Sequence, residues 1–515
     1  MQNLITIKGN MMTHTWSTDV ATGRINTLLA EVNDVIIVEY SKDMSLENIP
    51  KSKAYKTDSV HLYIDILNLD EILATTDFEG ETCHKRALKF LNLHYRAVDR
   101  ILNECESLKV DFHNQRLHAA ILKPYDSDSD RVNKAVAIAK LIVDVLQETG
   151  DEDDSIPKAE VRVGIDSGKS LIVNNGRRGG REPLFLGPPA NEAAKLASDH
   201  SDTGIYLTNI ARAIIGLTTA ANPKKTRLTD EQISNCQEAA ALNISKDKII
   251  SAWKKDIEDN PIGSFSFSGH TPPLSTLDIS LLTPGNSRRH ELLSIYADIS
   301  GFTAYVRENI GDNPEDIIRV LHVIRSELDN VLTKDFEGRK IRFIGDCIHG
   351  VFCLGTAQTT DTLESISEAV LCVGALRSSF DRSLEVFNEK NINYGSLGLS
   401  IGFEYGPTAI SRLGIQGKRV RCAVSRAVLA SEASQSNCNG VQTEIGPVAY
   451  KKARESIRKL FGSNRIISNL DYLEAVEGLA DYDDDTAKTA RKKAYANSSP
   501  TVAVTAATVI KPFCK

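Results

Sequence analysis

No apolar run in the 515 residues approaches the about 20 needed to cross a bilayer as a helix, and the first thirty residues lack the basic start and apolar core of a secretory leader. There is no basic excess either. Lys and Arg total 61 against 68 Asp and Glu, a net charge of −7, so no basic face dominates and there is no general case for gripping nucleic-acid phosphates. The nine cysteines are scattered without any C-x-x-C spacing or disulfide framework, which fits free thiols in a reducing compartment better than disulfides or zinc. These absences lead to the expectation of a soluble, cytoplasmic protein with no membrane or nucleic-acid partner. With 41% hydrophobic and 25% charged residues the chain is globular, and it is too long for a single core.

An internal repeat organises the chain. "LYIDILNLDEIL" from Leu62 and "IYADISGFTAYV" from Ile295 align Asp65 with Asp298, an offset of 298 − 65 = 233. "VRVGIDSGKSLIV" and "LSIGFEYGPTAIS" align Gly164 with Gly402 and Gly168 with Gly406, an offset of 238 for both. "PANEAAKLAS" and "AVSRAVLAS" align Asn191 with Ser425, an offset of 234. Three matches in one order define two diverged copies of a domain, 60–215 and 288–450, with an N-terminal extension 1–59, a linker 216–287 and a C-terminal extension 451–515. In each copy, short buried-strand patterns alternate with amphipathic runs such as "PEDIIRVLHVIRSELDNVL", whose Pro314 suits a first helical turn. "KIRFIGDCIHGVFCLG" is two alternating runs around Gly345-Asp346, a hairpin signature. The fold class that follows is α+β, a sheet with helices on one side. "NNGRRGGREP" at 174–183 is read as a surface hairpin, and the acidic "DYDDD" near the end as a solvated turn.

Asp298 ends a buried strand and Asp346 sits in a tight hairpin 48 residues later (346 − 298). On neighbouring strands the two carboxylates would meet at one sheet edge, and like charges held together call for a shared proton or a cation. Hard oxygen donors suit Mg²⁺ or Mn²⁺. Gly301-Phe302-Thr303 follows at a helix start, where free N–H groups make an anion site beside such a cation. Asp65 alone is better explained as a cap for the helix that follows. His113 and His118, five apart on an apparent strand, are expected to face opposite sides, and Cys347 and Cys353 to pack as small apolar residues.

"ADISGFT", then "FIGDCIHGVF", then "IGFEYGP" resemble the class III nucleotide cyclases, and the resemblance spans both repeats. It implies two cyclase homology domains, each a ferredoxin-like sheet with helices, paired head to tail as an intrachain pseudo-heterodimer. It further implies two divalent cations, Mn²⁺ or Mg²⁺, held by Asp298, Asp346 and the backbone carbonyl of Ile299. The family's transition-state pair, an Asn and an Arg four residues on, falls on Asn191 and Lys195, with lysine a departure from the pattern. Arg412, in an expected loop after "YGPTAI", is a candidate phosphate contact, with a merely exposed loop arginine as the equal alternative. The copies have decayed in complementary ways: the first has Gln115 where the second has Asp346, and the second has Ser425 and Leu429 where the first has Asn191 and Lys195. One composite site and one dead site are expected, in a monomer or a higher assembly of such chains.

"LFLGPPANEAAKLAS" resembles, more narrowly, the pyrimidine cyclases of bacterial Pycsar defence, which make cyclic CMP or cyclic UMP for a separately encoded effector. The positions that read a purine in the wider family fall on Asp111 and Leu184, neither of which matches the purine pattern. The expectation is a cyclase acting on CTP or UTP, with a slight lean to cytosine because Asp111 is able to accept from its amino group. The rival readings are an adenylate cyclase and a degenerate pair that binds nucleotide without turnover.

Overall fold

The computed structural model describes residues 15–42, 44–74, 76–151, 157–175, 183–198, 202–259 and 265–479. Most of "NNGRRGGREP" and all of "DYDDD" lie outside them. Two mixed sheets carry the two repeats. The first runs Leu108–His113, Arg116–Ile121, Lys53–Ile66, Val161–Val173, Leu184–Leu186, and the second Arg339–Ile344, Cys347–Phe352, Ser287–Ser300, Gly398–Leu413, Gln442–Ile445, Ile466–Ser468. The register repeats as well: Asp65 pairs with Arg162 and Asp298 with Ser400, so the offset of 238 (400 − 162) read from sequence recurs in the pairing.

Period-2 alternation decides which residues reach the site. In Lys53–Ile66 the apolar Val60, Leu62, Ile64 and Ile66 join the core under the helices Glu81–Glu104 and Asp128–Asp151, so Ser59, His61, Tyr63 and Asp65 emerge on the opposite face. Ser287–Ser300 does the same. Leu293, Ile295, Ala297 and Ile299 face the helices Pro314–Asn330 and Thr362–Glu389, leaving Ser294, Tyr296 and Asp298 for the other side. Each fully buried aliphatic side chain contributes about 1.5–3 kcal/mol, which locks the register and with it the position of each aspartate.

The two copies exchange arms. Ala409, Leu413, Val420, Cys422 and Val424 of the second pack in the core of the first, while Leu171, Val173, Leu184 and Leu186 of the first pack in the core of the second. Asn92 accepts from the Gly414 N–H across this junction at 2.8 Å. The described cysteines are free, and all but Cys438 are buried, Cys347 and Cys353 within the apolar clusters as expected.

The flanking segments are more structured than their composition indicates. Within 1–59, the helix Thr18–Ala30 lies on Pro314–Asn330 and Thr362–Glu389, and the strand Ile36–Glu39 pairs in parallel with Lys53–Ile66. Trp16 donates to Ser379 at 2.7 Å, and Arg24 bridges Glu327 and Asp335. In the expected linker, Asp230–Ala240 and Lys246–Asp259 are helices packed on the first copy. Beyond residue 451, Ile466–Ser468 extends the second sheet and Tyr472–Gly478 packs on Thr362–Glu389.

Candidate active site

The strand Ser287–Ser300 delivers Asp298 to the end of the sheet, and Gly301, with φ of +85°, turns the chain into the helix Phe302–Asn309. A side chain here would meet the carbonyl of Ser396 at 2.8 Å as well as adopt a disfavoured backbone, so glycine is required. Asp346 stands in the two-residue turn closed by the pair Ile344 and Cys347, after Gly345 at φ +58°. Desolvation lifts the Asp298 carboxyl to about 6, and desolvation together with the Asp298 charge pushes Asp346 well above the usual carboxylate range. The Asp298 charge is thus felt at Asp346, although only Asp346 of the two lines the cleft between the copies.

This donor set fits a divalent cation. Among the described residues no cluster of three or more His, Cys, Asp or Glu is placed to cage a metal. Two carboxylates are what Mg²⁺ or Mn²⁺ uses when substrate phosphates and water complete the shell. Ile299, buried opposite Leu399, has its carbonyl in the same strand end.

One cleft joins the copies. Asp111, Leu184 and Asn191 of the first copy line it together with Phe302, Gly345 and Asp346 of the second. Its floor is polar and fixed. Tyr63 stacks on His118 with ring centroids 4.1 Å apart, and the His118 ring bonds to His61 at 2.8 Å. Burial pushes the His118 imidazole down to about 3 and His61 well below its usual value, so both stay neutral. His113 and His118 share a face, contrary to the expectation. They belong to the two strands of one hairpin, where His113 pairs with Arg116 and Asp111 with His118, so all four point to the same side.

Three candidates are engaged elsewhere. Asp111 lines the cleft but its carboxylate is ion-paired with Arg342, the residue at the matching hairpin position of the second copy. Lys195 is half exposed at the rim and pairs with Glu192 at 3.1 Å, and Glu192 in turn accepts from Arg307 of the second copy at 2.7 Å. Lys195 therefore does not line the cleft as the structure stands. Arg412 is on a strand, not in a loop, and donates to the carbonyls of Ser280 at 2.5 Å and Arg419 at 3.2 Å, which places it outside the cleft. Thr303 is half-buried on the helix beside Phe302 but does not line the cleft.

Residues missed at the sequence level include Tyr63, His118, Phe185 and Arg342. A signal was present. Tyr63 and Tyr296 share the offset of 233 (296 − 63), His118 and His349 one of 231 (349 − 118), and Tyr296 stacks on His349 at 4.3 Å as Tyr63 does on His118.

Comparison with known proteins points to a family. Residues 286–459 match the adenylate and guanylate cyclase catalytic domain family. A uridylate cyclase from Pseudomonas aeruginosa is 54% identical over 492 residues, covering 95% of this chain and 96% of that protein. A second uridylate cyclase, from a Rhizobium species, is 41% identical over 437 residues, covering 80% of this chain and 82% of that protein. The crystal structure of a class III adenylyl cyclase-like ATP-binding protein from Pseudomonas aeruginosa superposes with a TM-score of 0.90 at 53% identity, covering 91% of this chain and all of that one. Shared fold, paired aspartates and near full-length similarity converge: this chain belongs to the class III nucleotide cyclases, with two cyclase homology domains forming a pseudo-heterodimer within one polypeptide.

Proposed function

We propose that the chain is a uridylate cyclase, converting UTP to 3′,5′-cyclic UMP and pyrophosphate. The observation that carries the reading is the cleft in which Asp346 and Phe302 of one copy face Asn191 and Leu184 of the other, in a chain 54% identical to a uridylate cyclase. The lean toward cytosine gives way to uracil. Both curated relatives bear the uridylate name, and Asp111 is paired with Arg342 instead of being a lone acceptor awaiting an amino group.

In the reaction the ribose 3′-oxygen loses its proton and bonds to the α-phosphorus while the bond to the pyrophosphate oxygen breaks. Asp298, Asp346 and the Ile299 carbonyl would hold two divalent cations, Mn²⁺ or Mg²⁺, which would supply acidity to that hydroxyl and neutralise the triphosphate. Asn191, at the cleft wall, orients the ribose. The amide groups from Gly301 to Thr303, which have no intrahelical acceptor at the start of an eight-residue helix, receive phosphate oxygens. Lys195 serves the developing charge by exchanging its Glu192 contact for phosphate. Tyr63, stacked on a neutral His118, gives the cleft a flat, uncharged wall for a base.

As a second-messenger source the chain would act through a separately encoded effector in antiphage defence, by its resemblance to the Pycsar cyclases. No described helix is long and apolar enough to cross a membrane. The test is incubation with equal ATP, GTP, CTP and UTP plus Mn²⁺, with product identification. Predominant cyclic UMP is expected; cyclic AMP, cyclic GMP or cyclic CMP would overturn the assignment, and nucleotide binding without pyrophosphate release would show a sensor.

A further inference from the structure

The internal duplication creates a second location, related to the cleft by the repeat, where Asp65 stands as Asp298 does. Its surroundings differ residue by residue. Arg116 lies directly opposite Asp65 in the strand pairing, at the hairpin position that Cys347 fills in the second copy. Cys347 is short and buried, whereas the Arg116 guanidinium, which also borders the cleft, reaches across the junction to the second copy. Its Nη1 donates to Glu432 at 2.5 Å and its Nε lies 3.9 Å from Asp65, which is only 5% exposed.

The anion-receiving elements are occupied in the same manner. The helix Arg426–Asn437, counterpart of the one bearing Asn191, has its first backbone N–H donating to the Glu79 carboxylate at 2.7 Å. Glu79 also pairs with His84 at 3.0 Å, and Arg289 secures both by donating to His84 Nδ1 and to the Glu79 carbonyl. The Arg426 side chain donates to the carbonyls of Leu73, Thr76 and Asp77. Where the second copy has Gly301, the first has Asn68, whose amide group is spent on the Lys158 carbonyl and the Glu160 N–H.

We infer that the degenerate site is an intrachain clasp carrying built-in substitutes for its lost ligands, the Arg116 guanidinium for the metal and the Glu79 carboxylate for the phosphate, so that it holds the copies together and takes no nucleotide. This goes beyond the proposed reaction and rests on the internal duplication, not on which base is cyclised. The clasp closes from both sides: Arg116 and Glu79 belong to the first copy, and Glu432 and Arg426 to the second.

The experiment uses the full chain. Titration with Mn²⁺ and the α,β-methylene analogue of each nucleoside triphosphate should show one nucleotide per chain for whichever base binds; two per chain would overturn the clasp whatever the base. Arg116→Ala should melt several degrees lower, because Asp65 and Glu432 are left without their cation. Millimolar guanidinium chloride should raise its melting temperature while leaving the wild type unchanged. A wild-type melting temperature, or no rescue, would overturn the proposal. Should Arg116→Ala fail to fold, Glu432→Gln and the pair Arg116→Met with Glu432→Met decide the matter. The pair should melt closer to wild type than the sum of its single variants, and additive losses would count against the clasp.

Discussion

Two sites related by the internal duplication carry aspartates at matching strand positions, Asp65 and Asp298, yet only one is left with charge to be neutralised from outside. Beside Asp65 the chain supplies its own cation, Arg116; beside Asp298 it supplies a second carboxylate, Asp346. The difference teaches how one ancestral arrangement divides into a ligand site and a structural joint: through the charge of the neighbour, with the strand unchanged. The comparison breaks first at the second site. Asp346→Ala should reduce turnover by about 10³-fold or more with the circular dichroism spectrum unaltered, since the remaining carboxylate cannot hold the metal and phosphates together. A folded variant of near wild-type rate would remove the metal role.

Next comes the asymmetry of the helices facing each site. Asn191→Ala should lower kcat by about 10²-fold, and Ser425→Ala, at the corresponding start of the other helix, should stay within about twofold. Equal effects would mean that both sites turn over. The Arg342–Asp111 pair sharpens the comparison because it joins matching hairpin positions of the two copies. Arg342→Met should destabilise the fold by about 2–3 kcal/mol in chemical denaturation by removing the cation paired with Asp111, and adding Asp111→Leu should recover much of that loss.

Burial places Asp65 and Asp298 alike at about 6. The folded chain thus holds these two protons to higher pH than the unfolded chain, whose carboxyls titrate near 3.9. Their contribution to stability is present below about pH 4 and fades as pH rises through 6, on the order of 3 kcal/mol per group. Melting curves with a chelator should show this decline, and saturating Mn²⁺ should remove the Asp298 share while leaving that of Asp65. The smallest effect is expected at Arg412, bound to the Ser280 carbonyl away from the cleft, where Arg412→Ala should leave the rate within about twofold.

The duplication, the hairpin around Asp346 and the complementary losses were legible because they are written in local patterns: strand alternation, a Gly-Asp turn and a fixed offset. Arg412 and Lys195 were not, because a motif places a backbone and says nothing of which carbonyl or carboxylate captures a long side chain. Nor was the Asp111–Arg342 pair, whose partners lie 231 residues apart (342 − 111) and meet only once the copies are docked. The two histidines were misjudged for a different reason: one strand was assumed where a two-residue turn reverses the chain, which changes the side-chain parity.

The strap formed by Thr18–Ala30, with Arg24 clamped between Glu327 and Asp335, ties the start of the polypeptide to the far copy. Because both halves of the cleft travel on one polypeptide, their encounter is set by tether length instead of cellular abundance. Output should then scale in proportion to the number of chains made, where a cyclase assembled from separate subunits would respond to the square of its expression at low levels. Specific activity is therefore expected to stay constant on dilution, and a fall would show that a higher assembly is required.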